Sequence, residues 1–136
     1  MIQKFYGYNF PFLSDSFVLP PQEDARLIKN DLKQLLLTSP GERVMRPDYG
    51  TPIRKYAFEQ LDRQSVTELH AGIRQAITRF EPRVQVVTIT IVPKEGQNLV
   101  EITIIAKIVN TQQTVDVSLV IPGTVVEPSI RAVRRN

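Results

Sequence analysis

The chain has 136 residues, 42% of them hydrophobic and 23% charged, a composition that fits one globular domain whose core needs no metal or disulfide staples. It contains no cysteine, which excludes a disulfide framework and thiolate chemistry, and its net charge of +3 is too small and dispersed to mark a nucleic-acid binder. No apolar run reaches the length of a membrane span and no signal-peptide core follows the start, so assembly in the cytoplasm is expected.

Residues 1–19 hold six of the ten aromatics, Phe5, Tyr6, Tyr8, Phe10, Phe12 and Phe17, interrupted by Gly7, Asn9 and Pro11. Neither helical nor strand periodicity survives those interruptions, so the segment reads as an extended arm. It either straps across the protein's own core or docks on a neighbour, where aromatics are enriched. Pro20 and Pro21 then precede a first helix over about Gln22 to Thr38. Its stripe is Ala25, Ile28, Leu32, Leu35 and Leu36, with Glu23 and Asp24 in the first turn, where the helix dipole favours acids.

Pro40 to Pro52, PGERVMRPDYGTP, is the organising stretch. Gly41 is placed to end the preceding helix, Pro47, Asp48 and Gly50 form a turn signal, and Thr51-Pro52 reads as an N-cap with proline at the first helical position. Glu42, Arg43 and Arg46 sit between these stops around Val44 and Met45. Such a connector is either a helix–helix corner with an internal Glu42–arginine pair or a partner site.

Pro52 to about Glu59 reads as a short second helix presenting Ile53, Tyr56 and Ala57. Ser65-Val66-Thr67-Glu68 has the form of a capping box opening a third, with Val66, Leu69, Ile73, Ala76, Ile77 and Phe80 as its stripe. Pro82 stops it. His70, the only histidine, flanks that stripe and is expected to be exposed or half-packed; with no second histidine or cysteine near, it is a poor metal ligand.

From Val84 the period becomes two. Val87, Ile89 and Ile91 mark the first strand's inner face, and PKEGQN at 93–98 is a charged turn. Val100, Ile102, Ile104, Ala106 and Ile108 are the core face of a second strand, and Val115, Val117, Leu119 and Ile121 of a third. Pro122-Gly123 ends it, and Arg131, Arg134 and Arg135 lie in a basic tail. The expected fold is α+β: an aromatic arm (1–19), a helical part (20–82), a three-stranded antiparallel meander (83–122) and a basic tail (123–136), with three helices packed on one face of the sheet. All 136 residues are expected to form a single domain.

Catalytic readings fare poorly. Glycoside hydrolysis uses two carboxyls about 5–9.5 Å apart, one with a raised pKa. The candidates Glu42, Asp48, Glu59, Asp62, Glu68 and Glu81 mostly have ordinary capping or pairing jobs, and a chain without tryptophan or a second lobe offers no substrate cleft. Ser65 and His70 lack an oriented acid partner for a triad. No enzyme, no cofactor and no metal site is expected.

Gly7-Tyr8-Asn9-Phe10-Pro11-Phe12, the run Thr38 to Gly50, Phe58 and Glu81-Pro82-Arg83 together make the sequence resemble the baseplate wedge or sheath-initiator family of contractile phage tails, tailocins and related injection systems. The match of order and spacing runs roughly from residue 7 to residue 121. What the resemblance implies is a structural part joining the baseplate wedge to the sheath, present in about six copies per particle. It would template the first sheath ring by accepting strands from sheath subunits at an edge of its sheet. The family's Glu-Pro-Arg triplet is implicated in contact with the wedge's helical core bundle, so the resemblance assigns that role to Glu81, Pro82 and Arg83. On that view Arg83→Glu would leave folding intact and abolish wedge assembly. Partner contacts are further expected at Glu42, Arg43 and Arg46 in the corner and at Val115, Val117 and Leu119 on the third strand. The partners are sheath and wedge proteins, with no nucleic acid and no membrane. The protein would assemble in the cytoplasm and end in the baseplate of a contractile particle. The alternatives are a lysozyme-like peptidoglycan hydrolase, since the family has carried that label, and a small basic nucleic-acid-binding module.

Overall fold

A computed structural model describes residues 6–7, 22–94 and 96–125. The arm, apart from Tyr6–Gly7, and the arginines of the tail lie outside the described residues.

The elements run β1 (Tyr6–Gly7), β2 (Gln22–Glu23), α1 (Asp24–Leu37), a five-residue 3-10 helix (Pro52–Tyr56), β3 (Gln60–Leu61), α2 (Arg63–Phe80), β4 (Val84–Lys94), β5 (Leu99–Ile108), β6 (Thr114–Pro122) and β7 (Thr124–Val125). The main sheet is antiparallel in the order β4-β5-β6, the expected meander. Among the described residues there are two α-helices, not three. The segment from Pro52 is a single 3-10 turn, too short to bury a stripe and held by Ile53 and Tyr56 as two buried anchors. Glu23 belongs to β2, which pairs with β1, so the first helix starts at Asp24 rather than Gln22.

Both helices cover one face of the sheet, α2 over β4 and α1 over β6. The core between these layers contains Ile28, Leu32 and Leu35 of α1, Leu69, Ile73 and Ile77 of α2, and the inward residues of all three strands. The alternation read for β5 holds without exception, Val100 to Ile108 being buried at every second position. Two further expectations fail for physical reasons. A bulge between Val86 and Thr88 shifts the β4 register, so Val84, Val86, Ile89 and Ile91 face inward while Val87 is turned outward. His70 is buried, not exposed, because α2 packs against the 3-10 helix as well as the sheet and its buried stripe is correspondingly wide. Gly72 marks the closest approach on that second side. A Cβ there would lie 2.7 Å from Cγ of Pro52.

α2 also starts earlier than its capping-box reading. Asp62 is the N-cap, and its carboxylate accepts from the Ser65 amide at 2.7 Å. Glu68, the supposed capping partner, instead accepts from the Tyr56 hydroxyl at 3.0 Å and from the Gln64 amide. Beyond Pro122 the chain does not leave the fold at once. β7 pairs in parallel with β3, Gln60 opposite Thr124 and Leu61 opposite Val125, a contact too short for periodicity to register.

Candidate functional site

Three parts of the surface carry the predicted partner residues. The first is the corner between α1 and the 3-10 helix. α1 ends at Leu37, with the Thr38 amide and hydroxyl both donating to the Gln34 carbonyl. The termination therefore does not fall to Gly41, whose φ of +88° serves a tight turn inside the corner. The corner's two ends are stitched together where the Thr51 amide donates to the Thr38 carbonyl at 2.9 Å and the buried Thr51 hydroxyl donates to the Leu36 carbonyl. Thr51 thus stands at the N-cap position without using its side chain as a cap. Gly50, with a φ of +132°, lies directly beneath this stitch.

Glu42 accepts from the Ser39 amide and pairs with Arg54 at 3.7 Å, so the expected pair forms with an arginine outside the corner. Arg43 and Arg46 use their guanidinium faces instead. Arg43 lies 4.1 Å from the Tyr49 ring centre, and Arg46 lies 5.7 Å from Tyr49 and 5.6 Å from Phe80. Tyr49 and Phe80 touch with centroids 5.1 Å apart, fastening the corner to the end of α2, and Asp48 pairs with Arg79 beside them. Burial raises the Tyr49 pKa, and the nearby charges of Arg43, Asp31, Glu81 and Arg46 act on it in both directions. Val44 and Met45 stand at the tip, 94% and 90% exposed.

The second part is the Glu81-Pro82-Arg83 junction, which adjoins the corner through Phe80. Glu81 is the C-cap of α2 and is 6% exposed. Arg83 donates from Nη2 to Glu81 and to Asp31 of α1, both at 2.6 Å, and from Nε to the other Glu81 oxygen. Its hydrogen bonds to Glu81, and then to Asp31, outweigh burial and raise the guanidinium pKa. The triplet is therefore an internal clamp between α1, α2 and β4. Glu81 and Arg83 pair with each other and recruit Asp31, which no local pattern indicated.

The third part is the outer edge of β6. Val115, Val117 and Leu119 direct their side chains toward the helices, the first two buried and Leu119 half-buried. What this strand offers at the edge is main chain. The Phe58 amide donates to the Pro122 carbonyl at 2.9 Å, so residues of that parity face away from β5. The outward groups are those of Thr114, Asp116, Ser118 and Val120, and among the described residues no backbone bond reaches them. Phe58 itself is 86% exposed with a φ of +68°, a conformation uncommon outside glycine. Its ring is one wall of an apolar groove of about 430 Å³ between the end of α1 and β6, lined also by Leu37, Ala57, Val120 and Ile121.

Of the carboxyls weighed for hydrolysis, Glu42, Asp48, Asp62, Glu68 and Glu81 are held in ion pairs, a helix cap or hydrogen bonds. The Ser65 bonds hold Asp62 below the ordinary carboxylate range, and bonds from Gln64 and Tyr56 do the same to Glu68. A general acid requires the opposite shift. Among the described residues, no group of three or more histidine, cysteine or acidic side chains could hold a metal ion, and no helix is long and apolar enough to cross a membrane.

The described residues thus form a helical layer on one face of a small antiparallel sheet, with a stitched corner and an edge strand whose outward main-chain groups take no backbone bond among the described residues. The family described as baseplate wedge protein gp25 matches residues 22–113, and the chain belongs to that family. The wedge protein of that name from Enterobacteria phage T4 is 26% identical over 68 residues, 50% of this chain and 52% of its own length, so the chain spans about half of that relative. A Geobacter sulfurreducens protein with the provisional designation tail lysozyme superposes with a TM-score of 0.59 at 27% identity, covering 74% of this chain and 90% of that one. The same fold occurs in the postcontracted pyocin R2 baseplate (TM-score 0.63, 20% identity, 76% of this chain and 98% of that one). It occurs again in the anti-feeding prophage baseplate (TM-score 0.63, 21% identity, 91% and 90%).

Proposed function

We propose that this baseplate wedge family member joins the wedge of a contractile machine to its sheath and templates the first sheath ring by β-strand augmentation. The observation that carries this reading is the open edge of a three-stranded sheet inside a family of baseplate proteins. Unpaired main-chain groups along an edge supply affinity for an extended segment, and the flanking side chains set its register. The corner adjoins the Glu81-Pro82-Arg83 junction through the Tyr49–Phe80 contact, and this region is suited to anchoring on the wedge. Val44 and Met45 are its exposed apolar tips. The protein would be present in about six copies, matching the symmetry of a closed ring. It would assemble in the cytoplasm before becoming part of the particle.

The test is co-expression with the sheath and wedge proteins of the same contractile system, followed by affinity capture and electron microscopy. Sheath subunits retained on the baseplate support the reading, and a baseplate that forms without this chain and still nucleates sheath rejects it. The provisional lysozyme designation of one relative makes a peptidoglycan-clearing assay the natural control; activity there would restore the hydrolase reading.

A further inference from the structure

The corner between α1 and the 3-10 helix is a run of three turns. The Glu42 amide donates to the Ser39 carbonyl, the Arg46 amide to the Arg43 carbonyl, and the Tyr49 amide to the Arg46 carbonyl. A further bond, from the Gly41 amide to the Pro47 carbonyl at 2.7 Å, ties the first turn to the third and braces the middle one. The two central residues of that middle turn are Val44 and Met45, 94% and 90% exposed. Turn positions ordinarily favour proline, glycine, asparagine, aspartate or serine, each for a backbone reason that valine and methionine do not share. Neither side chain serves the core. A lone exposed apolar residue needs no explanation, but two adjacent ones at the centre of a braced turn do.

The flanks of the same turn carry charge. Arg43 and Arg46 are its first and last residues, so their Cα atoms lie within about 7 Å of each other. Both are exposed, and both guanidinium groups lie over rings, Arg43 over Tyr49 and Arg46 over Tyr49 and Phe80. Stacking engages the face of a guanidinium and leaves its N–H edge for a carboxylate. The acids around the corner are taken by other arginines: Glu42 by Arg54, Asp48 by Arg79, and Glu81 and Asp31 by Arg83. Among the described residues neither Arg43 nor Arg46 has an ion pair, and the hydrogen bond from Arg43 to the Gln34 side chain, at 3.4 Å, is to a neutral group. The turn thus presents an apolar pair between two cations that the fold leaves uncompensated.

We infer that the Arg43–Arg46 turn is a docking knob for an acidic surface of a partner protein: Val44 and Met45 enter an apolar recess, and Arg43 and Arg46 each meet a carboxylate at its rim. Charge complementarity selects the partner's acids, and the apolar pair supplies the buried centre of the contact. Tyr49 and Phe80 are positioning residues. They hold the two guanidinium planes in place before the partner arrives, so less side-chain freedom is lost on contact. Lysine would carry the same charge without the stacked planar fork. This deepens the anchoring reading above and rests on it for the nature of the partner, a wedge protein. It adds what that protein offers, two carboxylates flanking an apolar depression.

Two double variants of the full-length chain separate the parts. Val44→Thr with Met45→Gln keeps size and removes apolar surface; Arg43→Gln with Arg46→Gln removes both charges. Circular dichroism and melting establish that each is folded, and the near-complete exposure of Val44 and Met45 means the first should melt as the unaltered chain does. Binding to purified wedge proteins of the same contractile system is then measured at low and at high salt. The unaltered chain should bind more weakly as salt rises. The arginine variant should bind at least about tenfold more weakly at low salt and lose most of that salt dependence. The apolar variant should weaken by a similar factor and keep it. Arg43→Lys with Arg46→Lys should restore the salt dependence but only part of the affinity. Because the chain has no cysteine, Val44→Cys takes a single benzophenone maleimide, and irradiation should cross-link it to a wedge segment bearing aspartate or glutamate. Wedge binding that neither double variant weakens would keep the anchoring reading and overturn the inference. No wedge binding by the unaltered chain would reject the anchoring reading and the inference with it. Cross-links from position 44 to sheath, to a second copy of the chain, or to a wedge segment without acidic residues would also overturn the inference.

Discussion

Arg83 grips Asp31 across 52 residues of sequence, its Nη2 donating to the carboxylate at 2.6 Å while the rest of the guanidinium embraces Glu81. Three elements meet in that clamp: α1 through Asp31, the end of α2 through Glu81, and the start of β4 through Arg83 itself. Arg83→Ala leaves the buried Glu81 carboxylate without its counter-charge and is expected to cost about 3 kcal/mol. Asp31→Ala, which leaves the Glu81 pair intact, is expected to cost about 1–2 kcal/mol. Urea denaturation of both variants and of the double variant measures the coupling. Arg83→Glu would set three carboxylates against one another, so the clamp's geometry argues that this substitution unfolds the junction and is a poor isolated test of wedge contact. Neutral changes at Val44 and Met45 are the cleaner probe of that surface.

The corner offers a matched pair of glycines. Gly50→Ala places a Cβ 2.5 Å from the Thr38 carbonyl oxygen, against backbone that is itself held by the Thr51 amide. It should destabilise by about 3 kcal/mol or more, combining strain and overlap. Gly41→Ala meets nothing within 4 Å and bears only the positive-φ penalty, about 1 kcal/mol. Thermal melts of the two variants side by side separate crowding from conformation.

Stability should fall on the acid side of neutrality. Asp62 is held low by the Ser65 backbone bond foremost, and Glu68 by the Gln64 side chain and then Tyr56. A carboxyl whose pKa is lower in the folded state binds protons preferentially when unfolded. Its contribution is present above the unfolded value, about 4, and is lost as pH drops through the folded one. Denaturation midpoints should therefore be steady from about pH 7 to about pH 5 and decline below. The Asp62→Asn, Glu68→Gln variant keeps hydrogen-bonding groups at both sites and should show a shallower decline.

Phe58 holds a strained backbone conformation while exposing nearly its whole ring. Phe58→Gly removes the strain and loses little burial, so the isolated protein should become more stable by up to about 1 kcal/mol. Capture of the sheath should weaken in the same variant. Opposite signs in the melting experiment and the capture assay would identify Phe58 as a residue kept for its partner.

Much of the fold was legible because the core obeys simple periods. The β5 face from Val100 to Ile108 and the α2 stripe from Val66 to Ile77 are read directly from spacing two and spacing three-and-four. The misses arose where a competing local cap, or a contact with another element, overrode the signal read from spacing. Ser65 has the cap residue and the glutamate of a capping box, yet Asp62, three positions earlier, supplies the cap and lengthens the helix. Val87 fits strict alternation until a bulge, invisible in composition, turns it outward. His70 lies beside a stripe that a second packing surface widened to include it. The site was legible as segments but not as chemistry: the sequence marked Arg83 and the corner arginines, while their counterparts Asp31, Tyr49 and Phe80 emerge only when the helices cross. The third strand was recognised through Val115, Val117 and Leu119, whose side chains belong to the core. The edge itself is made of the main chain of the residues between them.

The most direct test of strand capture at β6 uses that distinction. Ser118→Pro removes an outward-facing amide and costs no bond to β5, as Pro93 does on the opposite edge. In co-expression with the sheath protein of the same contractile system, the unaltered chain should retain sheath subunits on affinity capture. The Ser118→Pro variant, folded by circular dichroism, should lose them at least tenfold. Undiminished sheath retention by that folded variant would contradict the account.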